Sequence, residues 1–181
     1  MKTGVQIDPR IAKAAAGDRK AAHALLTEHL PRIRNLIRYL VRGDREVDDI
    51  AQQALIAVVK GLGTYRGEGR FESWVDRVTV RETFAHLERD KRERDHRAML
   101  FDMDAIPSEA RATFLERREA VERLDTLPPD QRTAVVLHHV VGMSVPEVAE
   151  ATGVSFDTAK SRIRLAMEKL RRDVAAEEKI A

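Results

Sequence analysis

The chain has 181 residues, of which 43% are hydrophobic and 4% aromatic, and it contains no cysteine. The lack of cysteine excludes disulfides, thiol catalysis and Cys-ligated zinc. Because the net charge is only +2, binding to a nucleic acid would require a local cluster of positive charge. The N-terminus lacks the apolar segment of a signal peptide, and no apolar run reaches the ~18 residues of a membrane span. We therefore expect a cytoplasmic protein without membrane insertion.

Ala, Leu, Arg and Glu dominate the long runs, which favours an all-α fold. A short first helix is predicted to end at Gly17, and Asp18 can cap a longer second helix. Pro31 predicts a kink or a break in that helix, and Gly43 and Asp44 are expected to end it. Its apolar stripe, at three- and four-residue spacing, comprises Ala22, Leu25, Leu26, Leu30, Ile33, Leu36, Ile37 and Leu40.

A third helix is predicted within "DREVDDIAQQALIAVVKGLGTYRG". Its expected buried side comprises Ile50, Ala54, Leu55, Val58, Val59 and Leu62. Four acidic and amide residues lie largely outside that stripe, namely Asp48, Asp49, Gln52 and Gln53. A solvated surface is the ordinary interpretation of such a helix face.

The glycine-rich stretch "GLGTYRGEGRF" interrupts the helical pattern and predicts a loop. It matches neither the P-loop nor the dinucleotide-binding fingerprint, although a simple phosphate-binding loop is a competing interpretation. A highly charged helix follows from "FESWVDRV". Trp74 in that helix is the only tryptophan of the chain, and by residue type alone it is expected in the core.

Residues 95–117 show little amphipathicity and are interpreted as a linker between two domains. Helices are predicted after it over "FLERREAVERLDTL" and over a segment that Pro128 and Pro129 begin and Gly142 ends.

The segment from Ser144 predicts a helix-turn-helix unit. Ser144 and Glu147 form an S-x-x-E capping box, Gly153 can take the positive φ of a tight turn, and Ser155 caps the next helix. Ala149 is small where the two helices must approach closely, and the space between them can be filled by Val148, Val154, Ala159 and Ile163.

The second helix of this unit is basic. Its buried stripe is expected to comprise Ala159, Ile163, Ala166 and Leu170, with Asp157, Lys160, Ser161 and Arg164 facing away. From Thr158 to Arg172 there are six basic residues and one acidic residue, a local net charge of +5. Such a helix fits the major groove of DNA, whereas the alternative is an ordinary terminal helix with a solvated basic face.

Two blocks of the sequence resemble one known family. "VDDIAQQALIAVVKGLGTYRGEGRFESWVDRV" is similar to region 2 of bacterial sigma-70 factors, and "LDTLPPDQRTAVVLHHVVGMSVPEVAEATGVSFDTAKSRIRLAMEKLR" is similar to region 4. The order of the blocks and the short linker resemble the extracytoplasmic-function (ECF) group, whose members keep only these two domains. The resemblance implies region 2 at residues 1–94, the linker at 95–117 and region 4 at 118–181.

The resemblance also implies roles for individual residues. Asp48, Asp49, Gln52 and Gln53 would bind core RNA polymerase, whose β′ and β subunits are expected partners together with promoter DNA and an anti-sigma factor. Contacts to the melted −10 element would come from Tyr65, Arg66, Arg70, Phe71, Trp74, Arg77 and Arg81. Contacts to the −35 duplex would come from Ser155, Asp157, Thr158, Lys160, Ser161, Arg162 and Arg164.

One segment departs from the family pattern. After Trp74 the family usually reads R-I-A-R-N-L-A-x-D, whereas this chain reads "RVTVRETFA", with Arg81 in place of Asn and Ala85 in place of Asp. Both positions lie near the strand-opening helix, so the departure concerns the −10 preference more than the activity itself.

We predict no catalytic residue, no cofactor and no metal site. The six histidines form no recognisable ligand motif, and the adjacent His138 and His139 are expected on different sides of their helix. The main alternative to a sigma factor is a stand-alone helix-turn-helix regulator with an N-terminal sensing or dimerisation domain. A helical enzyme lacks a nucleophile, metal set or carboxylate pair, and a purely protein-binding adaptor leaves the +5 helix unexplained.

Overall fold

The computed structural model describes residues 8–41, 45–98 and 121–177, and all regular elements in these ranges are helical, as predicted. The chain divides into two compact units. None of the helices in the described ranges has the length and apolar character that crossing a bilayer requires. Most of the predicted linker lies outside the described residues.

The first unit is built from α1 (Pro9–Ala15), most of α2 (Arg19–Leu40), α3 (Val47–Gly61) and α4 (Phe71–Ala98). α3 packs along α4, and α1 packs against a 3₁₀ turn at Leu62–Thr64. α4 thus continues four residues beyond the predicted end of this domain at residue 94. The core of the unit includes Ile11, Leu25, Ile33, Ile37, Val47, Ile50, Ala54, Val58, Leu62, Val75 and Val78.

The second unit contains α5 (residues 121–125), α6 (Pro129–Val135), α7 (Val145–Thr152) and α8 (Phe156–Glu177). α6 and α7 both pack against α8. Its core includes Leu127, Ala134, Val135, Val148, Ala149, Ala159, Ile163 and Ala166.

α6 continues into a π-helical turn at Val136–Val140, which sequence analysis did not predict. The backbone N–H of Val141 donates to the carbonyl of Val136, five residues back, at 3.1 Å. The rings of His138 and His139 lie edge to face with their centroids 4.7 Å apart, so the expectation that they point to different sides is wrong. Successive side chains are separated by a smaller angle in a π turn than in an α-helix, which brings adjacent rings together.

Local capping chemistry supports the predicted helix ends at Gly17, Asp18 and Gly142, whereas the end predicted at Gly43 and Asp44 lies outside the described residues. Asp18 accepts hydrogen bonds from the backbone N–H groups of Lys20 and Ala21, at 2.9 and 3.1 Å. Gly17 has a φ of 96° and Gly142 a φ of 81°, a region that residues with a Cβ rarely adopt. The hydrogen bonds of Asp18 and the positive φ angles of Gly17 and Gly142 confirm the predicted caps at these three residues.

Pro31 does not break α2, which runs without interruption from Arg19 to Leu40. A proline in a helix interior costs about 3 kcal/mol. Ile33 and Ile37 just beyond it are 1% and 0% exposed, and burying two such side chains contributes about 1.5–3 kcal/mol each. Tertiary packing therefore offsets the local preference of the proline.

An ion pair joins α2 to α4 inside the first unit. Arg32 donates from Nε and Nη2 to the two carboxylate oxygens of Asp76, at 2.7 and 2.5 Å. The side chain of Asp76 is only 3% exposed, whereas that of Arg32 is 46% exposed. This hydrogen bonding raises the pKa of Arg32 above its ordinary value. The pair is therefore asymmetric, because only one partner is deeply desolvated.

We expect Arg32→Met to lower the free energy of unfolding by about 3 kcal/mol, since it leaves the buried carboxylate of Asp76 without its partner. Asp76→Asn should cost only about 1 kcal/mol, because the half-exposed guanidinium can turn toward water. Urea unfolding followed by circular dichroism measures both losses. An equal or smaller loss for Arg32→Met would contradict this asymmetry.

Candidate functional site

The first candidate surface is the outer face at the start of α3. Asp48, Asp49, Gln52 and Gln53 are all exposed there. The two aspartates lie in the first helical turn, where a negative charge interacts favourably with the helix dipole. Asp48 also forms an ion pair with Arg34 of α2, with 3.0 Å between Oδ1 and Nε. The opposite side of α3 buries Ile50, Ala54 and Val58, so packing fixes the outward direction of the polar face.

Two apolar residues extend this face, and sequence analysis did not single them out as functional. Ile56 is 41% exposed and Val59 is 40% exposed, so the prediction that Val59 is buried is wrong. Ile56 follows Gln52 by four residues and Val59 follows Ile56 by three, which places them along one side of the helix. Ile56 also borders a shallow cleft between α3 and α4 that Lys60 and Arg81 line. The helical spacing from Gln52 was the signal that could have identified them.

The second candidate surface is the glycine-rich loop before α4. The hydroxyl of Tyr65 donates to the carbonyl of Gly69 at 2.8 Å and closes the loop. Burial, with the nearby charge of Glu72, raises the pKa of Tyr65. Gly67 and Gly69 have φ values of 74° and 98°, which require residues without a Cβ.

Three aromatic side chains meet beneath this loop. The ring of Trp74 stacks on Phe71 with 5.6 Å between centroids and lies 5.7 Å from Tyr65. Tyr65 and Trp74 are half-buried, whereas Phe71 is 9% exposed. A Cβ on Gly61 would approach the Trp74 ring to 3.1 Å, so the glycine lets the indole pack closely against α3. Phe71 is thus part of the core and supports the other two rings rather than facing a ligand.

The predicted arginine contacts surround these rings. Arg66, Arg70, Arg77 and Arg81 are exposed. Among the described residues, the ion pairs of Arg70 and Arg81 are long ones with their neighbours, at 3.4 Å to Glu72 and 3.5 Å to Glu82. Such exposed pairs contribute little to stability and exchange readily. The loop therefore combines half-exposed aromatic surface with positive charge.

The third candidate surface is the helix-turn-helix of the second unit. The backbone N–H and hydroxyl of Ser144 both lie 2.8 Å from the Glu147 carboxylate, and the predicted capping box is present. Gly153 ends α7 with a φ of 65°. Ser155 accepts from the backbone N–H of Thr158 at 3.2 Å and begins α8. The predicted helix-turn-helix is therefore confirmed.

The residues predicted to contact DNA from α8 do not all face outward. Ser155, Asp157, Thr158, Lys160 and Arg164 are exposed, whereas Ser161 and Arg162 are half-buried. Arg162 forms an ion pair with Asp130 of α6, and Arg164 pairs with Glu168 one turn along α8 at 2.7 Å. Part of the +5 charge is therefore engaged within the unit, and Lys160 presents its charge at the start of the helix.

Phe156 is an exposed residue that sequence analysis overlooked. It is the first residue of α8 and is 48% exposed. A large apolar side chain at this exposed position is suited to the methyl group of a thymine. Its position directly after the capping Ser155 was the signal that could have identified it.

Comparisons with known proteins agree on one family. The profile for Sigma-70 region 2 matches residues 25–93, and that for Sigma-70 region 4 matches residues 117–170. The ECF RNA polymerase sigma factor SigM of Mycobacterium tuberculosis is 33% identical over 90% of this chain and 81% of its own length. The RNA polymerase sigma-H factor of Pseudomonas aeruginosa is 30% identical over 93% of each chain.

Solved structures show the same architecture. CnrH, in complex with the cytosolic domain of CnrY, is 26% identical with a TM-score of 0.55, and the match covers 92% of this chain and 96% of CnrH. RpoE of Bartonella quintana, in complex with the anti-sigma factor NepR, is 21% identical with a TM-score of 0.59 over 83% of this chain and 94% of RpoE. The second likeness concerns the fold alone.

Proposed function

The chain belongs to the sigma-70 family as an ECF RNA polymerase sigma factor, and from this premise we propose which of its surfaces performs each step of transcription initiation. Such a factor binds core RNA polymerase and directs it to promoters by recognising the −35 duplex and the melted −10 element. The observation that carries the proposal is the occurrence of both regions in order on one chain, with exposed Asp49 and Gln52 in the first and exposed Lys160 in the second. The family membership argues against the alternative function, a stand-alone helix-turn-helix regulator with an N-terminal sensing or dimerisation domain.

Core polymerase binds the outer face of α3. Its carboxylates and amides, at Asp48, Asp49, Gln52 and Gln53, suit a basic partner surface on the β′ subunit. The exposed Ile56 beside them adds apolar surface. The centre of a protein interface is more apolar than its rim, so Ile56 is suited to the centre of this one. Asp48 already forms an ion pair with Arg34 within the chain. Most of the direct contact with polymerase is therefore made by Asp49 and Gln52.

The loop at 65–70 and the start of α4 hold the melted −10 strand. Half-exposed Tyr65 and Trp74 offer stacking surface for an extruded base, and stacking on an aromatic ring contributes about 1–3 kcal/mol per base. Arg66, Arg70, Arg77 and Arg81 contact phosphates on either side. Phe71 has a supporting role, because it is buried beneath the other two rings.

α8 reads the −35 duplex from its first three turns and from the Ser155 that caps it. Lys160 and Arg164 provide cations, Asp157, Thr158 and Ser155 provide polar groups, and Phe156 provides apolar contact to a thymine methyl group. Arg162 positions α8 on α6 through Asp130 rather than contacting a base. Ser161, which is half-buried, contacts DNA at the edge of the interface.

The chain catalyses nothing by itself in this account, since the chemistry of RNA synthesis belongs to the polymerase. It is cytoplasmic because it acts together with that enzyme in the cell interior. An anti-sigma protein is a further partner, a proposal that the solved complex of CnrH with the cytosolic domain of CnrY supports.

Permanganate probing tests this assignment on a promoter recovered by sequencing the 5′ ends of transcripts. Unpaired thymines at −10 should become reactive only when the chain and core polymerase are both present. Reactivity with either component alone, or none with both, would contradict the proposed strand-opening role.

Lys160→Ala is expected to weaken −35 binding. If Lys160 contacts a phosphate, the loss should be similar on all sequences and the salt slope of binding should fall by about 1. If it reads a base edge, the loss should be ~1–3 kcal/mol and confined to one base pair. Electrophoretic mobility shifts of holoenzyme on a panel of −35 variants separate these cases.

Arg172→Ala is the matched control, because it removes the same charge from the same helix at an exposed position about 18 Å further along. It should leave the preference among −35 sequences unchanged. A Lys160→Ala chain that behaves as wild type on every promoter would remove Lys160 from the interface.

A further inference from the structure

Three potential metal ligands meet between α3 and α4. Glu46 is the residue that precedes α3, and His86 and Asp90 lie one turn apart on α4. Nε2 of His86 is 3.6 Å from a carboxylate oxygen of Glu46 and 3.6 Å from one of Asp90. One ligand atom from each residue lies within 4.8 Å of the other two. Sequence analysis found no such set because Glu46 is forty positions away from His86.

The central nitrogen of this cluster makes no hydrogen bond to any residue that the structure describes. Nε2 of His86 is shielded from solvent and makes no hydrogen bond, and 3.6 Å is too long for one. A buried polar atom left unsatisfied costs roughly 1–3 kcal/mol. The histidine side chain as a whole is 19% exposed. A group that binds between the imidazole and the two carboxylates would therefore remove an existing penalty.

The spacing of the ligand atoms suits a small tetrahedral cation. Zinc bonds to histidine nitrogen and carboxylate oxygen are about 2.0–2.2 Å, so two adjacent ligands of a tetrahedral ion lie about 3.3–3.5 Å apart. The two distances of 3.6 Å from His86 Nε2 are close to that value. The two carboxylates lie within 4.8 Å of each other, so these partly exposed side chains must also move toward one another to complete a tetrahedral set.

The types of ligand select among cations. Imidazole suits zinc, cobalt and nickel, whereas magnesium and calcium favour sites made of oxygen alone. The neutral imidazole and two carboxylates carry a charge of −2, which balances a divalent ion. Three protein ligands leave a fourth position open. Asp49 lines the same cleft and adds negative charge, and Arg89 opposes it with one positive charge.

We propose that Glu46, His86 and Asp90 form a binding site for a borderline divalent cation of the zinc class. The ion would hold the start of α3 against α4. The cleft is also lined by Gln52 and Gln53, so the site lies directly beneath the face that we assign to core polymerase; this placement, but not the site, rests on the proposed function.

Cobalt is the probe, because Co²⁺ in a tetrahedral site absorbs visible light strongly. The full chain, stripped with a chelator and kept free of polymerase, should develop this absorption on titration with Co²⁺ at one ion per chain. Zn²⁺ should displace it and raise the melting temperature. His86→Asn should abolish the band, and Asp90→Asn should weaken binding at least tenfold.

Two further variants keep the test decisive. His139→Asn removes an exposed histidine elsewhere and should bind Co²⁺ as wild type does. Glu46→Gln lies outside α3 and α4 and should weaken binding even if His86→Asn folds poorly by circular dichroism.

The absence of a tetrahedral band, or an unchanged band in both His86→Asn and Glu46→Gln, would overturn the site. Because the readout requires neither polymerase nor DNA, a negative result would leave the proposed function intact.

Discussion

A chain that carries Asp49→Lys together with Gln52→Ala is expected to bind core polymerase roughly a hundredfold more weakly, a loss of about 2.7 kcal/mol. The lysine would place a positive charge against a basic partner surface, and like charges brought together at an interface cost several kcal/mol. Both residues are exposed, so the substitutions should change the stability of the fold only slightly. The first-turn aspartate interacts with the helix dipole, and its loss should cost only about 0.3–1 kcal/mol of stability.

Fluorescence anisotropy with labelled chain and sigma-free core polymerase measures this affinity, and a thermal melt by circular dichroism checks the fold. Glu28→Lys is the matched control, since it changes the charge by the same amount at an exposed position on α2. It should bind core polymerase as wild type does. Undiminished binding of the double variant would take Asp49 and Gln52 out of the interface.

Arg66→Ala together with Arg70→Ala is expected to slow open-promoter formation tenfold or more. Opening a base pair and extruding its base costs a few kcal/mol, which the loop must offset by holding the released strand. Two lost phosphate contacts should lower the salt slope of single-strand binding by about 1.4, at roughly 0.7 per phosphate. The fold should tolerate the change, because both side chains are exposed and the ion pair of Arg70 is long.

A promoter with a premelted −10 bubble separates opening from strand holding. The holoenzyme of the double variant should recover most of the rate on that template and retain a smaller defect in affinity. Lys13→Ala with Lys20→Ala removes the same charge from exposed positions elsewhere in the first unit and should have little effect on either template. If the arginine variant opens duplex promoters as fast as wild type, the loop is only a connection between helices.

Features that depend on a few neighbouring residues could be predicted from the sequence. The capping box of Ser144 and Glu147 and the positive φ of Gly153 arise from contacts within one turn of helix. The caps at Asp18 and Ser155 are local in the same way. The helix-turn-helix therefore follows from spacing alone, as does the outward face of α3.

Features that depend on tertiary packing could not be predicted in this way. Val59 fits the apolar spacing of α3, yet it is 40% exposed, so none of the described helices buries it. Phe71 has the residue type of a stacking platform, but Tyr65 and Trp74 lie over it. Arg162 contributes to the basic count of α8 although Asp130, on another helix, pairs with its charge. Only for Arg162 is the deciding neighbour distant in sequence, at a separation of 32 residues; for Phe71 the neighbours are close in sequence, but the way the three rings pack does not follow from residue type.

The central claim is that this chain turns core polymerase into a promoter-specific enzyme. The most direct test mixes purified chain with sigma-free core polymerase on a pooled library of random promoter fragments and sequences the 5′ ends of the RNA. We predict transcripts that start at fixed distances from shared −10 and −35 sequences, and only when both proteins are present. Binding of the chain alone to a palindromic duplex, with no promoter-dependent RNA in the mixture, would contradict the account and favour a stand-alone regulator.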